Sequence, residues 1–171
     1  IVFDGSNDYV SETSALSDSF FQGNWTISFW VNFDSLNTTS GSSDKILMHH
    51  GSSVLNKGLH LVQRNNRIHF GLLSNDLQGS TIVSTNTWYH VTFTLNNTTR
   101  VKQIFINGSL DNSHTGSGAY TGTGGNTRIG GKVLTFGNTF DGKMASVIAY
   151  SEVLTSSQIA DNYNAFKGRY V

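Results

Sequence analysis

Aromatic, histidine and arginine side chains recur at alternate positions of several strand-like segments. Successive residues of a strand point to opposite faces, so a buried row containing Leu61, Phe70 and Val91 turns the intervening residues away from the core. The residues predicted on that outer face are Trp30, His60, Arg64, His69, Trp88 and His90. Indole rings stack on the apolar faces of sugar rings, and His and Arg hydrogen-bond hydroxyl groups, so pairing of these strands predicts one binding groove. The alternative is that the tryptophans seal the ends of the fold and the histidines are simply solvated.

Polar loops offer a second place for a binding surface. Three of them are long enough to compete with the groove: Asp34 to Asp44, Gly51 to Lys57, and Asn112 to Asn126. The last contains His114 and Tyr120, and Tyr120 is included among the predicted ligand-binding residues. Rigid sheets that present variable polar loops are a common design for recognition.

Strands with one buried face dominate the elements that must position these residues. The clearest are Thr26 to Phe33 and Trp88 to Leu95, in which apolar and polar residues alternate strictly. Further strands are predicted at Ile1 to Asp4, Asp8 to Ser11, Lys45 to His49, Gly58 to Arg64, Arg67 to Leu73, Thr81 to Ser84, Val101 to Asn107, Thr127 to Gly130 and Lys143 to Tyr150. Many short strands separated by Gly, Asn and Ser predict an all-β antiparallel sandwich or barrel.

Turn and cap signals agree with this reading. Asn65-Asn66 and Asn107-Gly108 are predicted to close hairpins, because Asn and Gly tolerate the positive φ of two-residue turns. One surface helix is predicted after Thr155, which forms a capping box with Gln158, and Gly168 is predicted to end it. The stretch from Gly116 to Asn126 is predicted to be a long mobile loop.

Composition limits the classes of function. The 171 residues suit one domain, 1–171, and a start without Met suggests a piece of a longer chain. Lys plus Arg and Asp plus Glu both number 11, so no charge steers the chain toward nucleic acid or an anionic membrane surface. Cys is absent, which excludes disulfides and thiolate chemistry. The sequence contains no run of about 18 apolar residues, so no membrane-spanning helix is predicted.

The order of short motifs along the chain resembles a known family. The motifs run from Val2 to Val10, Trp25 to Val31, Trp88 to Thr94, Ile104 to Asp111, Arg128 to Gly130, Phe140 to Ala145 and Tyr150 to Thr155. This succession resembles the laminin G-like branch of the concanavalin A-like lectin/glucanase superfamily over nearly the whole chain. The resemblance implies a two-sheet antiparallel jelly roll and a role in carbohydrate binding or adhesion. With the helix predicted after Thr155, the expected fold is an all-β jelly-roll sandwich with one short C-terminal surface helix. The stretch from Asn162 to Tyr170 is also similar to the endings of such domains in structural proteins of tailed phages.

The resemblance also raises a calcium site. Its candidates are Asp4, Asp8, Asp111 and Asp141. Calcium takes six to eight oxygen ligands, several of them from carboxylates. Where the family often carries an acidic residue after Phe-Asp-Gly, this chain has Ala145-Ser146, which weakens the site, and Asp before Gly is also ordinary turn chemistry. Calcium is therefore an open alternative, and no other cofactor is predicted.

Catalysis is not expected. Glycoside hydrolysis needs two suitably spaced carboxyl groups, and the only two glutamates, Glu12 and Glu152, are far apart in the sequence. No Gly-x-Ser-x-Gly, His-Glu-x-x-His or phosphate-binding glycine motif occurs.

The sequence thus predicts a non-catalytic module that binds cell-surface or environmental glycans. The alternative is a structural domain of a virus particle, in the capsid decoration or a tail fibre, that packs against copies of itself or other virion proteins. A glycoside hydrolase ranks third. The first two predict an extracellular or virion-surface location.

Overall fold

The alternating segments form two sheets. A computed structural model describes residues 1–12, 16–39, 43–124, 126–131 and 139–171. Its strands are β1 (Val2–Asp4), β2 (Val10–Glu12), β3 (Trp25–Phe33), β4 (Lys45–Gly51), β5 (Gly58–Arg64), β6 (Arg67–Gly71), β7 (Asp76–Gln78), β8 (Trp88–Asn96), β9 (Val101–Ile106), β10 (Ser109–Thr115), β11 (Thr127–Ile129) and β12 (Asp141–Tyr150). The helices are α1 (Asp18–Gln22), α2 (Ser156–Phe166) and a 3-10 helix at Lys167–Arg169. Neither α-helix of the described part has the length and apolar character needed to cross a membrane.

The two sheets are antiparallel and have six strands each. The first sheet has the order β1-β12-β3-β8-β9-β10, and the second has the order β2-β11-β4-β5-β6-β7. The chain therefore crosses repeatedly from one sheet to the other, and the sheets face each other as a sandwich. The predicted all-β jelly roll with a short C-terminal helix is confirmed.

The core lies between the sheets and is rich in aromatic rings. Phe29 and Phe93 of the first sheet have ring centroids 6.1 Å apart, and Phe93 meets Phe70 of the second sheet at 5.8 Å. The ring centroid of Trp25 lies 5.4 Å from that of Phe70, so these aromatic rings contact one another in series. The apolar rows predicted in β3 and β8 all belong to this core.

Both predicted hairpin turns are confirmed. Asn65 and Asn66 have φ values of 49° and 58°, and Asn107 and Gly108 have values of 51° and 79°. Each pair connects two antiparallel neighbours, β5 to β6 and β9 to β10. A turn with two positive φ values matches the twist of the strands that it joins.

The structure corrects three predicted elements. Thr81 to Ser84 is not a strand, because the carboxylate of Asp111 accepts hydrogen bonds from the amides of Ser80 and Thr81 and holds this segment as a loop. The residues from Asn112 to Thr115, predicted as loop, belong to the mostly exposed edge strand β10. Helix α2 begins with the predicted capping box at Thr155 but ends at Phe166, and Gly168 lies inside the 3-10 helix that follows.

Candidate ligand-binding site

The predicted groove residues do not form one patch. Trp30, Trp88 and His90 lie on β3 and β8 of the first sheet, whereas His60, Arg64 and His69 lie on β5 and β6 of the second. Both sets point away from a core that lies between the two sheets, so they face opposite sides of the molecule. The expectation of a single groove is therefore corrected, because alternation fixes the direction of a side chain but not the sheet to which its strand belongs.

The C-terminal segment covers the tryptophan side. The ring of Tyr170 stacks on Trp30 at 4.4 Å and lies 4.9 Å from the ring of Trp88, and Tyr163 of α2 stacks on Trp30 at 5.7 Å. Trp30 is consequently only 1% exposed. His90 is 4% exposed, and burial lowers its pKa to about 4.

Tyr120 lies in the core and not on the surface. Its hydroxyl donates to the carbonyl oxygens of His50 and Lys57, both at 3.4 Å. Its backbone N–H donates to Oδ1 of Asn97 at 2.6 Å, and Asn97 donates back to its carbonyl oxygen. Tyr120 therefore anchors the loop predicted as mobile, of which residue 125 lies outside the described residues.

The outer face of the second sheet carries a row of histidines. The Cα register pairs Arg128 with His49, His49 with His60, and His60 with Gly71. A Cβ atom at position 71 would lie 1.9 Å from Nε2 of His60, so glycine makes room for the imidazole. His69 lies on the same face of β6, two residues before Gly71, and is the Cα partner of Val62 in β5.

His49 and His69 are neutral near pH 7. Burial, followed by the positive charges of His60, His50 and Arg128, lowers the pKa of His49 to about 3. Burial and the charge of Arg64 likewise lower the pKa of His69 to about 4. Because His49 and His60 are buried, their row supports the sheet and offers no open surface to a ligand.

Arg64 joins two aspartates at the end of this face. Its Nε donates to Oδ1 of Asp44 at 2.9 Å, and one terminal nitrogen donates to the other carboxylate oxygen at 2.5 Å. Its second terminal nitrogen lies 3.5 Å from Asp76, which also contacts His60 at 3.3 Å. Burial raises the pKa of Asp76, but the hydrogen bond and charge of His60, together with Arg64 and Lys102, outweigh it and lower the pKa. The guanidinium is thus occupied by intramolecular partners.

An open pocket adjoins the outer face of the second sheet at strands β2 and β11. Its volume is about 200 Å³ and its walls are Ser6, Asn7, Tyr9, Arg128 and Thr139. The guanidinium of Arg128 lies over the ring of Tyr9, 4.2 Å from the ring centroid. The hydroxyl of Thr139 is buried and has no hydrogen-bond partner in the described part of the chain. We call this cavity the Tyr9–Arg128 pocket.

Strand pairing explains why these two residues meet. Val10 of β2 pairs with Ile129 of β11, and Ser11 pairs with Arg128. A Cβ atom at Gly131 would lie 2.5 Å from Cβ of Tyr9, so glycine at 131 leaves space for the tyrosine. Sequence reasoning missed this site, although Tyr9 and Arg128 both stand in motifs that carried the family resemblance. The missing information was the pairing of two strands that are more than 100 residues apart.

A second pocket has mostly polar walls. It measures about 320 Å³ and is lined by Gln22, Gly23, Asn24, Asn97 and Thr98. The amide nitrogen of Asn97 donates to the carbonyl oxygens of Gln22 and Tyr120 at 2.8 Å and 3.0 Å. Its walls offer no aromatic ring for stacking, and Asn97 holds neighbouring loops together.

The four predicted calcium ligands do not come together. Asp4 and Asp141 are Cα partners in β1 and β12, and Asp8 accepts a hydrogen bond from the amide of Asp4 at 3.1 Å. Asp111, however, lies on β10 at the opposite edge of the same sheet. Among the residues that the structure describes, no group of three His, Cys, Asp or Glu side chains is arranged to hold a metal ion.

The carboxylates of the described residues mostly serve structural contacts. Asp44 and Asp76 bind Arg64, Asp111 binds the amides after β7, and Asp141 accepts a hydrogen bond from Ser35. Glu152 is exposed at the end of β12, and the side chain of Glu12 lies outside the described part. Residues 40–42, in the first of the predicted binding loops, also lie outside it.

Comparison with solved structures shows what the fold is similar to. The CBM40 module of the Ruminococcus gnavus IT-sialidase, bound to α2,3-sialyllactose, superimposes with a TM-score of 0.70 at 17% identity, covering 85% of each chain. Domain 4 of an extracellular arabinanase from Geobacillus stearothermophilus, in complex with arabinotriose, has a TM-score of 0.61 at 24% identity, covering 81% of this chain and 66% of that one. The binding domain of botulinum neurotoxin DC, in complex with rat synaptotagmin II, has a TM-score of 0.66 at 17% identity. This chain covers only 39% of that domain, with 92% of its own length.

Sequence comparison gives the family directly. No curated protein sequence matches the chain. A laminin G-like family model described as belonging to the concanavalin A-like lectin/glucanases superfamily matches residues 4–160. The match contains both strands that build the Tyr9–Arg128 pocket, every strand of the two sheets except the start of β1, and the beginning of α2. The chain therefore belongs to the concanavalin A-like lectin/glucanases superfamily.

Proposed function

We propose that the protein is a non-catalytic glycan-binding module and that the Tyr9–Arg128 pocket holds the sugar. The observation that carries the proposal is the composition of this pocket, in which an aromatic ring and a guanidinium stand beside hydroxyl and amide groups. Tyr9 is 48% exposed, and its aromatic ring offers an apolar surface for stacking. Asn7 and the hydroxyl of Thr139, which has no partner among the described residues, can orient the hydroxyl groups of a sugar, and the Arg128 guanidinium stands beside them in the pocket wall.

The size of the pocket suits a small ligand group. Pockets for drug-sized ligands measure about 300–1,000 Å³, so a cavity of about 200 Å³ fits one sugar residue of a longer glycan. A single site of this size binds weakly, and several copies on a parent protein would raise the avidity. The partner expected on these grounds is a polymeric glycan on a cell surface or in the environment, which places the module outside the cell.

The structural neighbours support this proposal through the fold. Two of them were solved with saccharides, sialyllactose and arabinotriose. Their identities of 17% and 24% mean that they share the architecture, and the ligand of this chain must be found by experiment.

The chemistry of the carboxylates supports a role without catalysis. A glycosidase keeps one carboxylic acid protonated by raising its pKa. The pKa of Asp76 is instead lowered, with His60 and Arg64 as its partners, which favours the ionised form. Asp44 is locked against the Arg64 guanidinium in the same network.

The test is binding to a glycan array, followed by titration of the protein with a soluble form of a saccharide that it binds on the array. Arg128→Gln and Tyr9→Ala should each weaken binding by about tenfold, because each removes one wall contact of about 1.4 kcal/mol. Arg100→Gln is the control that changes the net charge equally at an exposed position outside the pocket. Equal binding by Arg128→Gln and Arg100→Gln would exclude the pocket as the site.

One observation favours a structural domain of a virus particle as the second candidate. Edge strands β1 and β2, with the residues beside them, carry the exposed apolar side chains Ile1, Val2, Tyr9 and Val10. Exposed apolar edge strands are suited to pairing with another chain. Light scattering of the purified protein separates the candidates: a stable symmetric oligomer that Val2→Lys dissociates favours packing, and a monomer at all concentrations rejects it.

A further inference from the structure

On the outer face of the first sheet, four buried polar atoms lack a hydrogen-bond partner among the residues that the structure describes. They are Nε1 of Trp30, Oδ1 of Asn32, Nδ1 of His90 and Oγ1 of Thr92, and none has a hydrogen-bond partner within the described residues. All four residues are at least nine-tenths buried. Trp30 and His90 are Cα partners in β3 and β8, and Asn32 lies two residues further along β3, opposite Trp88, so these three groups are neighbours on one face. Thr92 lies on the other side of the pair, opposite Phe105 of β9. Buried polar atoms in proteins are nearly always paired, and a cluster of exceptions needs a physical reason.

Two parts of the chain cover this face: Tyr163 of α2 lies against Trp30 and His90, and the segment after α2 is attached mainly through aromatic rings. We call the segment Lys167–Val171 the C-terminal cover. Tyr170 stacks on Trp30 and contacts Trp88, whereas Lys167, Gly168, Arg169 and Val171 are exposed. The amides of Tyr170 and Val171 donate to the carbonyl oxygen of Lys167 within the cover, and the amide of Lys167 donates to the carbonyl oxygen of Tyr163 in α2. Among the described residues, no hydrogen bond joins the cover to the sheet beneath it.

Helix α2, in contrast, is fixed firmly to the sheet. Ile159 packs with Leu154 and Phe105 in a small apolar cluster. The N–H of Leu154 donates to the hydroxyl of Thr26 at 2.9 Å, which fixes the chain just before the helix. The family match ends at residue 160, so Tyr163 and Tyr170 lie beyond the matched part.

We propose that the C-terminal cover is displaceable and that the Trp30–Trp88 face beneath it is a second saccharide site. When the cover moves away, the face of a pyranose ring takes the place of the Tyr170 ring on the two indoles. The hydroxyl groups of the sugar pair with the indole N–H of Trp30, the amide oxygen of Asn32 and the imidazole of His90.

A saccharide fits this face better than an apolar ligand does. An apolar occupant leaves the polar atoms of Trp30, Asn32 and His90 unpaired, as the tyrosine rings do. A sugar ring offers an apolar C–H face for the indoles and hydroxyls around its rim for the polar atoms. The site is independent of the Tyr9–Arg128 pocket, because it lies on the first sheet and the pocket lies at the edge of the second.

The experiment opens the cover in a protein whose pocket has been disabled. Tyr170→Ala is introduced into the Arg128→Gln variant, and binding is titrated by tryptophan fluorescence with sialyllactose, arabinotriose and soluble oligomers of glucose and xylose. While the cover lies on the indoles, the protein cannot bind a sugar there, and the apparent affinity is reduced by the fraction of molecules that are open. Removing the Tyr170 ring favours the open state, so we expect the affinity for at least one saccharide to rise by about tenfold or more. Tyr170→Phe, which keeps the stacked ring, is the matched control and should show no gain.

A third substitution locates the gain. Adding Trp88→Ala to the opened variant should abolish it, because the sugar loses half of its platform. No gain in Tyr170→Ala, with the variant folded and wild-type protein binding glycans, overturns the second site and leaves the proposed function standing. A gain that survives Trp88→Ala also overturns it. If Tyr170→Ala unfolds, Tyr170→Leu, which keeps apolar volume without a flat ring, is judged by the same criteria. Absence of saccharide binding by every variant and by the wild type contradicts both proposals.

Discussion

At the scale of single residues, Asp44 is the most tightly held carboxylate of the second sheet. It is 2% exposed and receives two hydrogen bonds from Arg64. Asp44→Asn should destabilise the protein by about 2–3 kcal/mol, because the guanidinium loses its charge partner in a largely buried site. A thermal melt should show a fall in Tm of about 5–10 °C for a chain of this length.

The matched control is another aspartate with a cationic partner. Asp34 lies 3.1 Å from Lys143, and both side chains are largely exposed. Exposed ion pairs contribute little, so Asp34→Asn should leave the Tm almost unchanged. Equal effects of the two substitutions would contradict the structural role assigned to Asp44.

The buried histidines predict how stability depends on pH. Burial lowers the pKa of His49 to about 3 and the pKa values of His69 and His90 to about 4. In the unfolded chain these groups titrate near 6.5, so between about pH 6.5 and pH 4 the unfolded state binds protons that the folded state does not. Stability is therefore full above about pH 6.5 and falls below it, by up to about 1.4 kcal/mol per pH unit for each histidine.

Thermal melts across this range test the prediction. The Tm should be lower at about pH 5 than at about pH 7.5, and His69→Gln should make the dependence shallower by removing one titrating group. A Tm that stays constant between these pH values would show that the histidines are accessible to protons in the folded state.

At the scale of elements, the β5–β6 hairpin depends on two residues with positive φ. Asn66→Gly should change stability by no more than about 0.5 kcal/mol, because glycine adopts this conformation freely. Asn66→Val should cost about 1–2 kcal/mol, because its β-branched side chain opposes the left-handed conformation. Chemical denaturation of both variants measures the difference, and equal stability would contradict the turn geometry.

The same element scale shows where sequence reasoning succeeds. Alternation located β3 and β8, and the residue pairs Asn65-Asn66 and Asn107-Gly108 located their hairpins, because these signals are local. The edge strand β10 escaped prediction because its burial pattern has no alternating apolar row. Thr81 to Ser84 had the expected β-rich composition, but the Asp111 carboxylate holds it outside the sheet.

At the scale of the whole molecule, the exchange of strands between sheets decides which residues can share a site. Alternation correctly predicted that Trp30 and His60 point away from the core. Between these two residues, however, the chain passes from the first sheet to the second. No local pattern contains this information, and the predicted groove was therefore divided between two faces. The Tyr9–Arg128 pocket has the same origin, since a long-range pairing of β2 with β11 creates it.

The measurement that tests the central claim most directly is a glycan array followed by analysis of the bound saccharide. We predict binding to at least one saccharide, loss of most of that binding in Arg128→Gln but not in Arg100→Gln, and recovery of the saccharide intact after prolonged incubation. Failure to bind any saccharide, or release of shortened products, would contradict a non-catalytic glycan-binding module.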